Sequence, residues 1–551
     1  MLGIVYIGKR LRSRMNNINL LKDVGQLFQI SLPQERKASW KKLIEDIRPG
    51  SIIIQGANVS RAQDIRTFVK KISSICQGAE IPQNRRPLIG ITQEGGWISR
   101  IDDIANSPGN MALGACDARA STYSSYRAMS EELRMCGIQW NLAPTVDINT
   151  EAANPIIGVR SFGDNPENVS RHTLYAIEGL RDGGVLSCVK HFPGHGASKS
   201  DSHITLPEIG KEMRELEKVD LQPYYAAIRN NVDSIMISHI YFPRIEKSGI
   251  PVPASLSRRV VTDLLRNRMG YNGLILTDSL SMAAVADNFP MEIAAGMAID
   301  AGVDVLECAV PEKYLELYNG LIESVKSGKV KHGRITESLK RFQELRKILS
   351  RIGRDAIPWS PAVRNHVTAI STFSAITEIN NLKNYRLPAA GTGKVHTVFF
   401  SRSRFLEEKN AGKSESPATR AVTEWGLSPG TSLQLPRTIE LNRAVEEAGN
   451  ISTMVGKTDG VVVFVNDALS GPCKTGVPSQ IAFVREVTSR MKGKVAVVGT
   501  GTPFEASLFG KIPYIAAYSY RHDALLASIG VLTGAVHAGG HIPVTIRSRT
   551  K

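Results

Sequence analysis

Between Lys190 and His203 the sequence reads KHFPGHGASKSDSH, gathering Lys190, His191, His195, Asp201 and His203 in one short segment. Three histidines invite a metal reading. Zinc needs three or four ligands in a closed geometry, and neither an HExxH pair nor a cysteine pair accompanies them, so we expect no metal and no other cofactor. Asp201 stands two residues before His203. In a turn or extended loop a carboxylate there hydrogen-bonds the ring, orienting it and tuning its proton affinity. The same spacing suits a purely structural Asp–His pair. Gly194 and Gly196 leave the loop free to turn tightly. Further on, Asp278 ends the apolar run LILT. It suits an N-cap for the following SLSMAAVA. Taken with His203, it becomes half of a nucleophile and acid/base pair.

Strands must deliver these residues to one place. Eight short apolar runs are spaced along the first 310 residues: Leu27–Ser31, Ser51–Gln55, Leu88–Thr92, Ile138–Leu142, Val185–His191, Asp233–His239, Gly273–Asp278 and Val303–Cys308. Segments with apolar residues three to four apart lie between them, such as Glu35–Ile47, Gln63–Cys76, Asp164–Gly183 and Ser257–Gly270. Near-continuous apolar strands imply a sheet covered on both faces, hence parallel. Eight such units predict a (β/α)8 TIM-like barrel over residues 1–350, with catalytic groups at the C-terminal strand ends. A charged helical stretch, Glu312 to about Arg351, closes it. A linker is expected over 351–372, opened by the proline-bearing Ile357–Val363. A second α/β pattern (His396–Ser401, Gly460–Val465, Lys494–Gly499, Ile512–Tyr518) predicts a smaller three-layer αβα domain over 373–551. Lys409–Pro429 reads as a mobile loop.

The 551 residues are 42% hydrophobic and 22% charged, with 47 Gly and 27 Pro, values that exclude collagen, a long coiled coil and wholesale disorder. The net charge of +16 raises a polyanion partner, but no long basic run supports one, so we expect a basic surface and no nucleic acid. The six cysteines are scattered without a CxxC pair, as buried thiols are. No apolar run approaches the roughly 18 residues that span a bilayer, so no membrane contact is expected. The opening MLGIVYIGKRLRSR places charge after a brief apolar stretch, the reverse of a secretion signal, and a cytoplasmic protein is expected. Two phosphate-loop look-alikes, Gly391-Thr392-Gly393-Lys394 and Gly499-Thr500-Gly501, lack the glycine spacing of either phosphate motif.

The strings QEGG, NPIIGVRSFG, KHFPGHG…DSH and TDSLSM follow one another at successive strand ends. Together they resemble glycoside hydrolase family 3, in particular its bacterial β-N-acetylglucosaminidases (β-hexosaminidases) in their two-domain form, over about residues 24–345. The tail GVLTGAVHAGGHIPVTI resembles, more faintly, the end of the family's second domain. The resemblance implies a retaining exo-β-glycosidase acting on terminal N-acetylglucosamine or a modified amino sugar. A cytoplasmic member would act on cell-wall fragments during recycling. Asp278 aligns with the nucleophile, His203 with the general acid/base and Asp201 with its partner. Thr92, Arg100, Arg160, Lys190, His191, His239 and Met282 fall at substrate-binding positions. An imidazole with a pKa of about 6.5 can give and take back a proton near neutrality. Being uncharged when neutral, it does not repel phosphate, so phosphorolysis and β-glucosidase activity stay open. A sugar-binding homologue without catalysis is the reading from another class.

Two positions depart from the family. Thr92 stands where Asp usually precedes QEGG, removing a charge-assisted contact worth about 1.5–3 kcal/mol. Trp97 stands where Arg is common. Arg100, Arg160 and Lys190 are then expected to lack a counter-charge. The sugar would be modified or anionic there, or activity on standard substrates would be low.

Overall fold

The computed structural model describes residues 23–546 apart from 33–38, 56–60, 248, 381, 383–384, 386, 389–391, 402–416, 425–426, 437–440, 457–458, 467–478 and 492. Cys473, Gly391, the basic N-terminal cluster and the first part of the expected loop Lys409–Pro429 lie outside the described residues.

Eight strands appear where the apolar runs fall: β1 (Phe28–Ser31), β2 (Ser51–Ile54), β3 (Leu88–Ile91), β4 (Trp140–Asn141), β5 (Cys188–Phe192), β6 (Ser234–Ile237), β7 (Leu274–Thr277) and β8 (Leu306–Cys308). Parallel pairing runs in the order β4-β3-β2-β1-β8 and, separately, β5-β6-β7. Two seams close the ring. Asn141 donates to Leu186 and Cys188 to Ala143, each at 2.9 Å, joining β4 to β5. Thr277 donates to Val305 at 3.0 Å and Val305 to Ile275 at 3.1 Å, joining β7 to β8. The result is a (β/α)8 barrel.

Barrel side chains such as Ile53, Leu88, Trp140, Cys188, Met236, Leu274 and Val305 form one buried cluster. The helix His332–Asp355 adds Phe342, Leu345 and Ile352 to it, with Phe342 edge-on to Trp140 at 6.5 Å. A larger apolar cluster lies between strands and surrounding helices. The helix Ala62–Gly78 shows why: its buried residues Ala62, Ile65, Phe68, Ile72 and Cys76 form a single stripe. The helix Pro166–Asp182 begins where Asn165 accepts from the amides of Glu167 and Asn168, with proline in its first turn.

The charged stretch Glu312–Arg351 is two helices, Tyr314–Lys326 and His332–Asp355, parted at Gly328, whose φ of 77° is left-handed. Residues 351–372 hold the end of the second of these and most of a further helix, Pro361–Ala375. That helix packs on the barrel helices Asn110–Cys116 and Arg119–Met135.

The second sheet contains β9 (Thr377–Asn380), β10 (Lys394–Ser401), β11 (Ser428–Pro436), β12 (Gly460–Val465), β13 (Val495–Gly499) and β14 (Tyr514–Ala516), ordered β11-β10-β12-β13-β14-β9. All pairs are parallel except the edge pair β14–β9. Val461, Val463 and Val465 join one apolar cluster, while Val462 and Phe464 join another on the opposite face. Such a strand is buried on both sides, giving three layers. The stretch read as a loop, Lys409–Pro429, in fact carries the helix Pro417–Glu424 and the start of β11. Ala421 and Val422 are fully buried, and that burial anchors the helix despite the polar composition around it. Among the described residues, no helix is long and apolar enough to cross a membrane.

Candidate active site

The C-terminal strand ends frame a cavity of roughly 650 Å3. After β3, Glu94 is 2% exposed and accepts from Arg160 through two bonds of 2.9 Å. Lys190, on β5, lies 2.8 Å from the same carboxylate. Burial alone would raise the Glu94 pKa, but the two cations outweigh it and hold the group well below the carboxylate range. Arg100 also lines the cavity, and its Nε is buried without a hydrogen-bond partner.

His191 follows Lys190. Its Nδ1 lies 2.8 Å from Asp147, which also takes the backbone N–H of His195 at 2.7 Å. Asp147 comes from the loop after β4 and is held ionised against burial by His191 and His195. The two loops touch closely at Gly196, where a Cβ would fall 1.8 Å from the Ile148 carbonyl oxygen. His195 is buried, and desolvation lowers its pKa to about 4, so it is a neutral ring, and it lines the same cavity.

Asp278 directly follows β7. Its Oδ1 accepts the Ser279 amide at 2.8 Å. Burial works against its charge. His191, His239, the Ser279 amide and His203 overcome that and bring it down to about 2. The helix after it begins only at Ala283, capped by Met282, so Asp278 is not its N-cap. His203 is 60% exposed on the loop after β5. Its Nδ1 lies 2.8 Å from Asp201 Oδ1, which also accepts the His203 amide at 2.8 Å. That hydrogen bond, reinforced by the charge of Asp278, raises the imidazole pKa.

Thr92, Arg100, Arg160, Lys190, His191, His203, Asp278 and Met282 therefore line one cavity. Asp201 stands behind His203. His239 does not line the cavity: its Nδ1 lies 2.7 Å from Ser255 Oγ and its Nε2 2.9 Å from the Ser279 carbonyl, where it braces the turn after Asp278. The expected charge imbalance is corrected: Glu94 pairs both Arg160 and Lys190, whatever stands at 92. In the sequence Glu94 stands out only within the string QEGG, and Asp147, Gln55 and Glu307 do not stand out as site residues. The usable signal for Glu307 was its place near the end of the eighth apolar run. Among the described residues, no group of three or more His, Cys, Asp or Glu side chains could hold a metal ion.

The second domain reaches this rim. Trp97 donates its indole N–H to the Thr500 carbonyl at 3.0 Å and packs 5.9 Å from the Tyr520 ring. The tail docks beside Arg160: Asp164 donates its amide to Pro543 and accepts the Thr545 amide at 2.6 Å.

Residues 19–345, more than half of the chain, match the family described as the glycosyl hydrolase family 3 N-terminal domain. The chain belongs to glycosyl hydrolase family 3. It is similar to β-hexosaminidase A of Pseudoalteromonas piscicida, 27% identical over 556 residues that cover 92% of this chain and 90% of that protein. A β-hexosaminidase of Neisseria gonorrhoeae is 32% identical over 291 residues, covering 51% of this chain and 77% of the relative. Among solved structures, a glycoside hydrolase family 3 β-N-acetylglucosaminidase from Paenibacillus sp. str. FPU-7 superposes with a TM-score of 0.84 at 27% identity, over 96% of this chain and 99% of that one. This family 3 protein is thus a glycoside hydrolase homologous to β-hexosaminidases, with a barrel and an αβα domain.

Proposed function

We propose that the chain is a retaining exo-β-N-acetylglucosaminidase with Asp278 as nucleophile and His203 as general acid/base. The observation that carries this reading is Asp278 itself: a buried carboxylate on the cavity, kept ionised by surrounding histidines and coupled electrostatically to His203. The Paenibacillus and Pseudoalteromonas relatives, a β-N-acetylglucosaminidase and a β-hexosaminidase, support the choice of sugar.

In the first step Asp278 attacks the anomeric carbon while protonated His203 gives its proton to the departing glycosidic oxygen. A covalent glycosyl-enzyme forms and the aglycone leaves. In the second step neutral His203 takes a proton from water, which attacks the same carbon and releases Asp278. Two displacements retain the anomeric configuration. Asp201 holds the His203 ring through both steps. The cluster of Glu94, Arg160 and Lys190, with His191 and Arg100, holds the sugar hydroxyls. In the cytoplasm such substrates are cell-wall fragments carrying a terminal N-acetylglucosamine.

A fluorinated N-acetylglucosaminide that forms the intermediate faster than it is hydrolysed tests the scheme. Peptide mass mapping should find the label on Asp278, and Asp278→Asn should lose at least about a thousandfold in turnover. A label on another residue, or turnover surviving in Asp278→Asn, would remove the assigned nucleophile.

A further inference from the structure

A buried carboxyl group on the cavity has no part in the scheme above. Glu307 lies in β8 and is 3% exposed. Gln55, just past β2, donates its Nε2 to Glu307 Oε1 at 3.0 Å. The Glu307 amide is tied to Thr277 Oγ1 at 3.0 Å, fixing this strand end against β7, which leads into Asp278. Glu307, Gln55 and Asp278 all line the same cavity. Resting on the glycosidase reading, we propose that Glu307, braced by Gln55, reads the substituent on carbon 2 of the bound sugar, and that the group it takes is an acetamide.

Adjacency on the ring selects the substituent. The nucleophile faces carbon 1 of the sugar. The ring neighbours of carbon 1 are the ring oxygen, which bears no substituent, and carbon 2. Glu307 stands on the strand next to that of Asp278, near enough for Asp278 to act on its charge, and in this proposal it is the side chain that meets what carbon 2 carries. The remaining hydroxyls are left to the Glu94, Arg160 and Lys190 cluster, which belongs to the β3, β4 and β5 side of the mouth.

Hydrogen-bond chemistry narrows the ligand. An acetamide carbonyl needs a donor, and an ionised carboxylate has none, whereas a protonated one does. Burial, then the charge of Asp278, pushes Glu307 up to about 8 against the opposing pull of Ser279, Gln55 and Lys190. Near neutrality it therefore carries its proton. Gln55 already donates to Oε1, which leaves the acid proton to the other oxygen. The titratable neighbours do not reverse this. Cys308 and Tyr314 are pushed up and neutral, and Lys313 and Asp287 line the same cavity with opposite charges.

The test measures kcat/KM on three 4-nitrophenyl β-glycosides: of N-acetylglucosamine, of glucose, and of N-acetylgalactosamine, which differs only at carbon 4. Wild type, Glu307→Met and Glu307→Gln are compared from pH 6 to 9. Glu307→Met should lower the acetamido-over-hydroxyl preference about tenfold, the size of one hydrogen bond. The preference at carbon 4 should not move. In the wild type the acetamido preference should fall as pH rises through about 8. In Glu307→Gln, which keeps a donor, it should stay flat. An unchanged acetamido preference in Glu307→Met, or equal changes at carbons 2 and 4, overturns the inference. Should the Met variant fail to fold, an alkaline decline persisting in Glu307→Gln overturns it as well. A wild type inert towards all three glycosides would remove the glycosidase reading and this inference together. An active wild type whose preference ignores position 307 removes only the inference.

Discussion

At the scale of single residues, the mouth of the barrel separates charges that must stay from one that must move. His203 is the mobile one. As general acid it works only while protonated, so activity falls as pH rises through its pKa. Asp201 raises that pKa above the ordinary imidazole value of about 6.5. Asp201→Asn keeps an acceptor for the His203 amide but removes the charge, so the alkaline limb of kcat/KM should move to lower pH and the maximum should drop. An unshifted limb would mean that another group is the acid. Glu94 is a fixed charge. Glu94→Gln leaves Arg160 and Lys190 buried with no anion between them, a change that costs about 3–5 kcal/mol in comparable pairs. Its folded pKa is depressed, so the stabilisation is present above the unfolded carboxylate value and is lost as pH falls below about 4.3. Denaturant melts should show the wild type and Glu94→Gln converging under acid and separating at neutral pH. Asp278 and His203 are legible in the sequence because they follow apolar runs, at the strand ends where a barrel carries its chemistry. Glu307 was not, because it sits inside an apolar run, and the burial that protonates it is a property of the folded chain.

At the scale of elements, the two ends of the barrel answer to different demands. The mouth is cut for chemistry and the base is clamped. Asp304, at the base of β8, is buried and takes Arg266 at 2.5 Å, Arg334, and Arg341 at 3.1 Å, together with Ser338 and the Ile275 amide. One carboxylate thereby ties the strand to the helices Arg259–Arg268 and His332–Asp355. Asp304→Asn leaves three arginines around a neutral group, and a loss of about 3 kcal/mol or more is expected in denaturant melts. The fraction that still folds should keep the wild-type KM, because the clamp lies at the opposite end from the cavity. The same physics explains which elements the sequence revealed. Strands β2, β3, β6, β7, β12 and β13 are buried along their whole length and read as nearly unbroken apolar runs. The pattern fades at the edges of the second sheet. β11 reads SPGTSLQLP, with two prolines, a glycine and polar residues, and β9 is the four-residue TEIN. Edge strands need only one partner, so composition marks them weakly.

At the scale of the whole molecule, the second domain is part of the site's support. Its tail crosses the loop that begins at Arg160, whose guanidinium grips Glu94. At Gly163, φ is 152° and a Cβ would lie 2.3 Å from the Pro543 carbonyl oxygen, so the two backbones meet with no room for a side chain. Next to it, Asp164 exchanges hydrogen bonds with Pro543 and Thr545. Gly163→Ala forces the tail away from the loop, and overpacking of this kind costs about 1–3 kcal/mol. Two readouts separate a packing defect from a loss of support for the sugar site. A lowered Tm with KM unchanged would mean that the tail only adds stability. A lowered Tm with KM raised and kcat nearly unchanged is the expected outcome, because a shifted Arg160 loosens the grip on sugar hydroxyls while Asp278 and His203, on β7 and the β5 loop, stay where they are. Greater protease sensitivity of the tail should accompany it. An unaltered Tm together with an unaltered KM would show that the seam carries no load, and the second domain's support of the site would then rest on its other contacts, such as Trp97 with Thr500 and Arg521 with Asp102.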